Sequence, residues 1–240
     1  MTETGSGPRK LPARFYKDVA CVEGDGAYAI ELDGRTAKTR AGNRLAVHSR
    51  PFALAIAQEW EAQTQTIDMS SMAMTKFAMT IADLGARDAP AWREATLSFL
   101  KSDLVCYRAV EPASLAERQA RIWDPLLDWA DEMLGIRLNT GAGVLFIEQP
   151  AKSLDAAKCV IDAQSPARAL GVKTAAEIAG SAIIAFALLK NAFPAADLFA
   201  ASRVDEDFQA ERWGLDREAA ARAAQLKEDF NNAARFLSLV

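Results

Sequence analysis

Histidine occurs once in this chain, as His48, and cysteine three times, as Cys21, Cys106 and Cys159. One histidine cannot build a histidine-rich metal site, and no cysteine lies beside it to complete a thiol–imidazole dyad. His48 reads as a surface or loop residue, because a general base needs an orienting partner. The absence of a CxxC pair excludes a zinc knuckle and a dithiol redox motif. Three widely spaced thiols fit buried, free cysteines in a reducing compartment. Also missing are GxxxxGKS/T and GxGxxG phosphate cradles, a GxSxG elbow and HExxH. Gly141-Ala142-Gly143 comes nearest to a phosphate loop and is too short a match to carry one. The most apolar stretch, Ile178 to Leu189, is bracketed by Glu177 and Lys190 and falls short of the ~20 residues that span a bilayer. It reads as a buried helix, and membrane insertion is not expected.

What is present is ordinary for a soluble domain. Half of the 240 residues are hydrophobic, which is ample for a core of one large or two small domains. The net charge of −4 and a pI near 5.2 argue against nucleic acid as the main partner, since phosphate backbones select basic surfaces. Residues 1–13, with glycines, Glu3 and Pro8 and no apolar core, read as a disordered tail and not as a signal or transit peptide.

Two patterns follow one another along the chain. Between residues 14 and 48, Tyr28, Ile30 and Leu32 alternate with Ala29, Glu31 and Asp33, the signature of a half-buried strand. Gly24-Asp25-Gly26 precedes that strand, Asp33-Gly34 is a type I′ turn candidate, and Ala41-Gly42-Asn43 turns into Leu45-Ala46-Val47, giving an antiparallel meander. From Ser49-Arg50-Pro51 onward the period is helical, with Phe52, Ile56, Trp60 and Gln63 on one face. Further stripes are Ala73, Phe77, Ile81 and Leu84, then Leu97, Leu100, Leu104 and Tyr107 after Pro90, then Leu115, Gln119, Ile122 and Leu126. Asp124-Pro125 predicts a kink or a fresh helix. Residues 136–150, with Val144-Leu145-Phe146-Ile147, read as a loop or a short strand. Thr174 with Glu177 reads as a capping box opening the helix that ends at Leu189. Asp216 is placed to cap a last helix carrying Leu226, Phe230, Ala233 and Leu237. The expected fold is α+β: a disordered tail (1–13), a small antiparallel β-rich domain (14–70), then an all-helical orthogonal bundle (71–240).

The most distinctive segment runs from Ser202 to Gly214 and reads as a helix end that presents charge. It sets Asp205, Glu206, Asp207 and Glu211 beside Phe208 and Trp213 and holds no histidine or cysteine. Such a cluster can serve a hard cation or a partner protein. It lacks EF-hand spacing and glycine, which favours a partner-facing surface. The clustered Met69, Met72, Met74 and Met79 fit core filling or an adaptable surface. Trp123 and Trp129 read as packed between helices. Trp60, flanked by Glu59 and Glu61, fits the core or an interface anchor.

Taken in order, several segments resemble the Atp12 chaperone family. They are Arg14-Phe15-Tyr16-Lys17, Leu32-Asp33-Gly34-Arg35 with Lys38-Thr39, Glu59-Trp60-Glu61-Ala62-Gln63, Asp103-Leu104-Val105-Cys106-Tyr107-Arg108, Trp123-Asp124-Pro125-Leu126-Leu127-Asp128-Trp129, and Ser202 to Gly214. The chain departs from the family pattern at Arg40, where proline is usual, and in the methionine-rich stretch from Met69 to Met79. The resemblance implies a non-enzymatic chaperone, with no cofactor or metal. It would bind the unassembled α subunit of the F1 sector of ATP synthase and keep it soluble until β replaces it, without ATP hydrolysis. It further implies a partner-binding set of Glu206, Asp205, Gln209 and Trp213, joined by Trp60, Asp103 and Arg108. Glu206 would be the key carboxylate, with Gln209 and Trp213 fixing its helix. Asp103 would pair with Arg108 or with Tyr107. A monomer in the bacterial cytoplasm is expected, or in the mitochondrial matrix for a processed eukaryotic form. The alternatives are a metal-dependent enzyme using Asp205 to Glu211, or an adaptor for another partner.

Overall fold

A computed structural model describes residues 11–214 and 216–240; most of the expected tail therefore lies outside the described residues. Contacts divide the chain into two units, one ending at Asp83 and taking in Leu239–Val240, the other Leu84–Ser238. This division falls inside a long helix, Ala73–Leu100.

The first unit is built on two hairpins. Strands β1 (Val19–Gly24) and β2 (Ala27–Leu32) pair antiparallel from Val19↔Leu32 to Gly24↔Ala27. The turn between them places Asp25 and Gly26 at φ 53° and 72°, and the turn from β2 to β3 (Arg35–Thr36) places Asp33 and Gly34 at 50° and 73°. Two successive left-handed residues are what a type I′ hairpin requires, as predicted for Asp33-Gly34, and Asp25-Gly26 takes the same form. Strand β4 (Ala46–Val47) also pairs with β2, at Tyr28↔Val47 and Ala29↔Ala46. As the central strand, β2 buries Ala29 as well as Ile30 and Leu32, so the alternation is partly lost.

Helix α1 (Arg50–Glu61) starts where Ser49 accepts the Phe52 amide and buries Phe52, Ile56 and Trp60. Each such side chain contributes about 1.5–3 kcal/mol on burial. Arg14 holds the other end: its guanidinium donates to the carbonyls of Tyr16, Lys17, Glu61 and Gln63, a cation where α1 leaves acceptors unpaired. Residues just before it pair too, with Ala13 bridged to Thr66 and Ile67 donating to the Pro12 carbonyl at 2.8 Å. The Ser49 hydroxyl also donates to the Leu239 carbonyl.

Helix α2 (Ala73–Leu100) begins in the first unit, capped by Glu59, whose carboxylate accepts the Met74 and Thr75 amides at 2.7 Å each. Met72 and Met74 are fully buried, so this part of the methionine cluster fills core. The Ala73–Leu84 stripe is only half buried, and Met74, Thr75 and Ala78 form the buried face instead. Pro90 does not break the helix, and the stripe expected to run on to Tyr107 stops at Leu100.

In the second unit a 3-10 turn, Leu104–Cys106, leads to β5 (Tyr107–Arg108), which pairs parallel with β6 (Gly141–Ala142). This short ladder is set among the helices α3 (Ala113–Leu134), α4 (Ala151–Asp162), α5 (Pro166–Ala179), α6 (Ala182–Leu189), α7 (Ala195–Ala201), α8 (Val204–Trp213) and α9 (Arg217–Leu239). Pro125 lies within continuous α3, so no fresh helix starts at Asp124. Pro90 and Pro125 are both exposed, where water satisfies the carbonyl that proline leaves free.

Helix α6 is the centre of this unit, with all but Leu188 buried, packed against α3, α5 and α7. The Thr174/Glu177 box does not open it. Thr174 lies inside α5 and donates to the Leu170 carbonyl, while Gly180 (φ 65°) ends α5 and Ser181 caps α6. Asp216 caps α9 as predicted, accepting the Ala219 amide at 2.8 Å.

Candidate functional site

The segment that stands out in the sequence forms α8, and its acidic run lies at the start of the helix. Asp205, Glu206 and Asp207 occupy the first turn, where carboxylates complement the helix dipole. Val204 and Phe208 are the buried side, one turn apart, and Gly214 (φ 80°) ends the helix. The Phe208 ring is covered by the guanidinium groups of Arg212 and Arg118, at 4.5 and 5.4 Å.

Each carboxylate turns to its own partner. Asp205 accepts from Gln119 Nε2 at 2.7 Å, Glu206 pairs with Arg203 at 3.1 Å, and Glu211 takes both ends of Arg118 at 2.9 and 2.8 Å. Arg118 holds the Glu211 carboxyl below its ordinary range. Charges spread this way do not converge on a cation. Among the described residues no group of three or more His, Cys, Asp or Glu is arranged to hold a metal ion. Glu206 and Gln209 are exposed, and Trp213 is 85% exposed. Trp213 therefore does not fix the helix as expected; Phe208 does.

The other expected contacts divide differently. Trp60 is 6% exposed, packed edge-on against Tyr16 at 5.6 Å, and accepts the Tyr16 hydroxyl on its carbonyl at 2.7 Å. A side chain so buried presents no surface to a partner. Its neighbours explain the motif around it: Glu59 caps α2, and Gln63 accepts the Asp68 amide at 2.7 Å.

Asp103 is fully buried and pairs with neither Arg108 nor Tyr107. Its Oδ2 accepts the Ala182 and Ile183 amides at 2.7 and 3.1 Å, and its Oδ1 accepts Val105 at 3.3 Å, so it caps α6 from across the unit. Burial pushes the Asp103 carboxyl up to about 6, against hydrogen bonds from Ser181 and the backbone. Arg108 pairs instead with Asp124 at 2.6 Å, donates to the Gln119 carbonyl and lies over Trp123 at 5.0 Å. The same surroundings leave no reactive thiol: burial drives Cys106 up to about 12.

A feature missed in the sequence adjoins α8. The loop after β6 exposes Val144, Leu145 and Phe146 at 96, 81 and 72%, with Val110 nearby at 68%. Val110, Val144 and Asp205 line one open cleft of about 530 Å³ together with Arg108 and Gln119. Its signal was the apolar Val144–Ile147 run following Gly141 and Gly143, which as a buried strand would have needed neighbours the chain does not supply. Contiguous exposed apolar groups beside a charged helix start have the composition found at protein-binding surfaces. Among the described residues no helix is long and apolar enough to cross a membrane.

Residues 13–131 match the family model described as ATP12 chaperone protein. The crystal structure of Atp12 from Paracoccus denitrificans shares 32% identity and superposes with a TM-score of 0.91, covering 95% of this chain and 98% of that one. A point mutant of the same P. denitrificans protein agrees equally well, with 97% of its chain covered. A protein of Agrobacterium tumefaciens is 36% identical at the same TM-score, with 95% of this chain and 86% of that one covered. The mitochondrial protein atp12 of Schizosaccharomyces pombe is 23% identical over 223 residues, 87% of this chain and 77% of its own. With likeness extending over nearly its whole length, the chain belongs to the Atp12 family of ATP synthase assembly chaperones.

Proposed function

We propose that this chain binds the unassembled F1 α subunit and keeps it from aggregating until β takes its place. The observation that carries the reading is the family membership, reached over 95% of the chain. An α subunit without its neighbours exposes interface surface, and such surface aggregates. A binder that shields it and is then displaced by a better-matched subunit needs no nucleotide.

The contact surface we assign is the exposed side of α8, with Glu206, Gln209 and Trp213, together with the Val144–Phe146 loop. Asp205 and Arg108 support it from within, while Asp103 and Trp60 maintain the two units. We read the chain as a monomer in the bacterial cytoplasm; its likeness to proteins of Paracoccus and Agrobacterium supports the bacterial setting.

Light scattering by isolated α subunit tests this. The protein is expected to suppress aggregation without nucleotide. Glu206→Lys, and separately Val144→Ser with Phe146→Ser, are expected to weaken suppression while leaving the circular dichroism unchanged. An α subunit that aggregates equally with and without the protein rules the proposal out.

A further inference from the structure

Three motifs that α8 does not account for meet in the first unit. Phe15 and Tyr16, then Asp33, Arg35 and Lys38, then Trp60, line one cleft of about 580 Å³. Asp33 ties two segments of it together: its Oδ1 accepts the Lys17 and Asp18 amides at 2.9 Å each, and those bonds hold its carboxyl below the ordinary range. Arg35 and Lys38 are exposed, and neither takes part in an ion pair among the described residues. Phe15 stands 72% exposed at the same place, edge-on to Tyr16 at 5.3 Å.

Trp60 forms part of the cleft wall. Trp60 is 6% exposed, and its indole Nε1–H is buried with no hydrogen-bond partner. A cationic pair beside an exposed ring calls for a ligand with carboxylates and an apolar side chain. That combination describes an acidic protein segment.

We propose that this cleft binds an acidic segment of another protein, its carboxylates on Arg35 and Lys38 and an apolar side chain against Phe15. Charge supports a peptide over nucleic acid. Only two cations line the cleft, and a chain of net charge −4 repels an extended polyanion that such a small patch cannot neutralise. The cleft lies in a different unit from α8, and the inference does not depend on the surface assigned there.

The full chain titrated with the peptide acetyl-Glu-Phe-Asp-Leu-Glu-amide decides the matter, read by the anisotropy of a labelled copy and by the Trp60 indole N–H resonance. That resonance is assigned by its loss in Trp60→Phe. Saturable binding that moves the resonance is expected, weakened by salt and by about tenfold or more in Arg35→Glu with Lys38→Glu. The milder Arg35→Gln with Lys38→Gln variant, with its melting temperature checked, is expected to show the same direction. No saturable binding, equal binding by the charge-reversed variant, equal binding of a peptide with lysine at the acidic positions, or tighter binding of a single-stranded oligonucleotide would each overturn the inference.

Discussion

Gln119 donates from Nε2 to Asp205 Oδ1 over 2.7 Å while its Oε1 accepts the Ala109 amide, also at 2.7 Å. Both ends of one carboxamide are thus committed, and it cannot flip without losing both bonds. A side chain only 1% exposed therefore sets the start of α8 in register with α3 and with the chain leaving β5. Gln119→Glu keeps an acceptor for Ala109 but sets a second carboxylate against Asp205. The expected loss is about 1–3 kcal/mol, seen as a lower urea midpoint at an unchanged m-value. A midpoint equal to wild type would show that this bond does not hold α8 in place.

Asp103 predicts a pH dependence. Its carboxyl titrates at about 6 in the fold against 3.8 for the free side chain, with burial the larger cause. Between those values the native state keeps a proton that the unfolded chain has lost. The associated stability is full below 3.8 and is lost as pH rises through about 6, on the order of 3 kcal/mol in all. Asp103→Asn removes the titration. The stability of wild type relative to the variant should fall between about pH 4 and 7 in denaturant melts. A difference that stays constant over that range refutes it.

Gly171 predicts an overpacked variant. A Cβ there would lie 2.6 Å from Leu237 Cδ2 and 3.0 Å from Phe236 Cδ1, where α9 crosses α5. In an exposed helix glycine to alanine gains about 1 kcal/mol, but overpacking costs about 1–3 kcal/mol and outweighs it here. Gly171→Ala is expected to lower the melting temperature by several degrees. A rise would mean that Leu237 moves aside at no cost.

Local chemistry was legible in the sequence and long-range pairing was not. The Asp-Gly turns, the Ser49 start of α1 and the Asp216 cap all act within a few residues, and the pattern alone predicts them. The Asp103 cap joins residues 79 apart, a pairing no spacing rule reveals. Pro90 and Pro125 read as breaks because sequence does not show which helix face meets water. The aromatic positions misled for the same reason: Trp60, flanked by charge, is buried, while Trp213, cast as a support, is almost wholly exposed.

The bond from Ser49 to the Leu239 carbonyl has a consequence for synthesis. The first unit includes Leu239–Val240, so the bond to Ser49 forms only after the whole stretch Leu84–Ser238 has been synthesised. At about 5–20 residues per second that wait lasts roughly 10–30 s. Through it, Ser49 at the start of α1 lacks the Leu239 carbonyl as a partner.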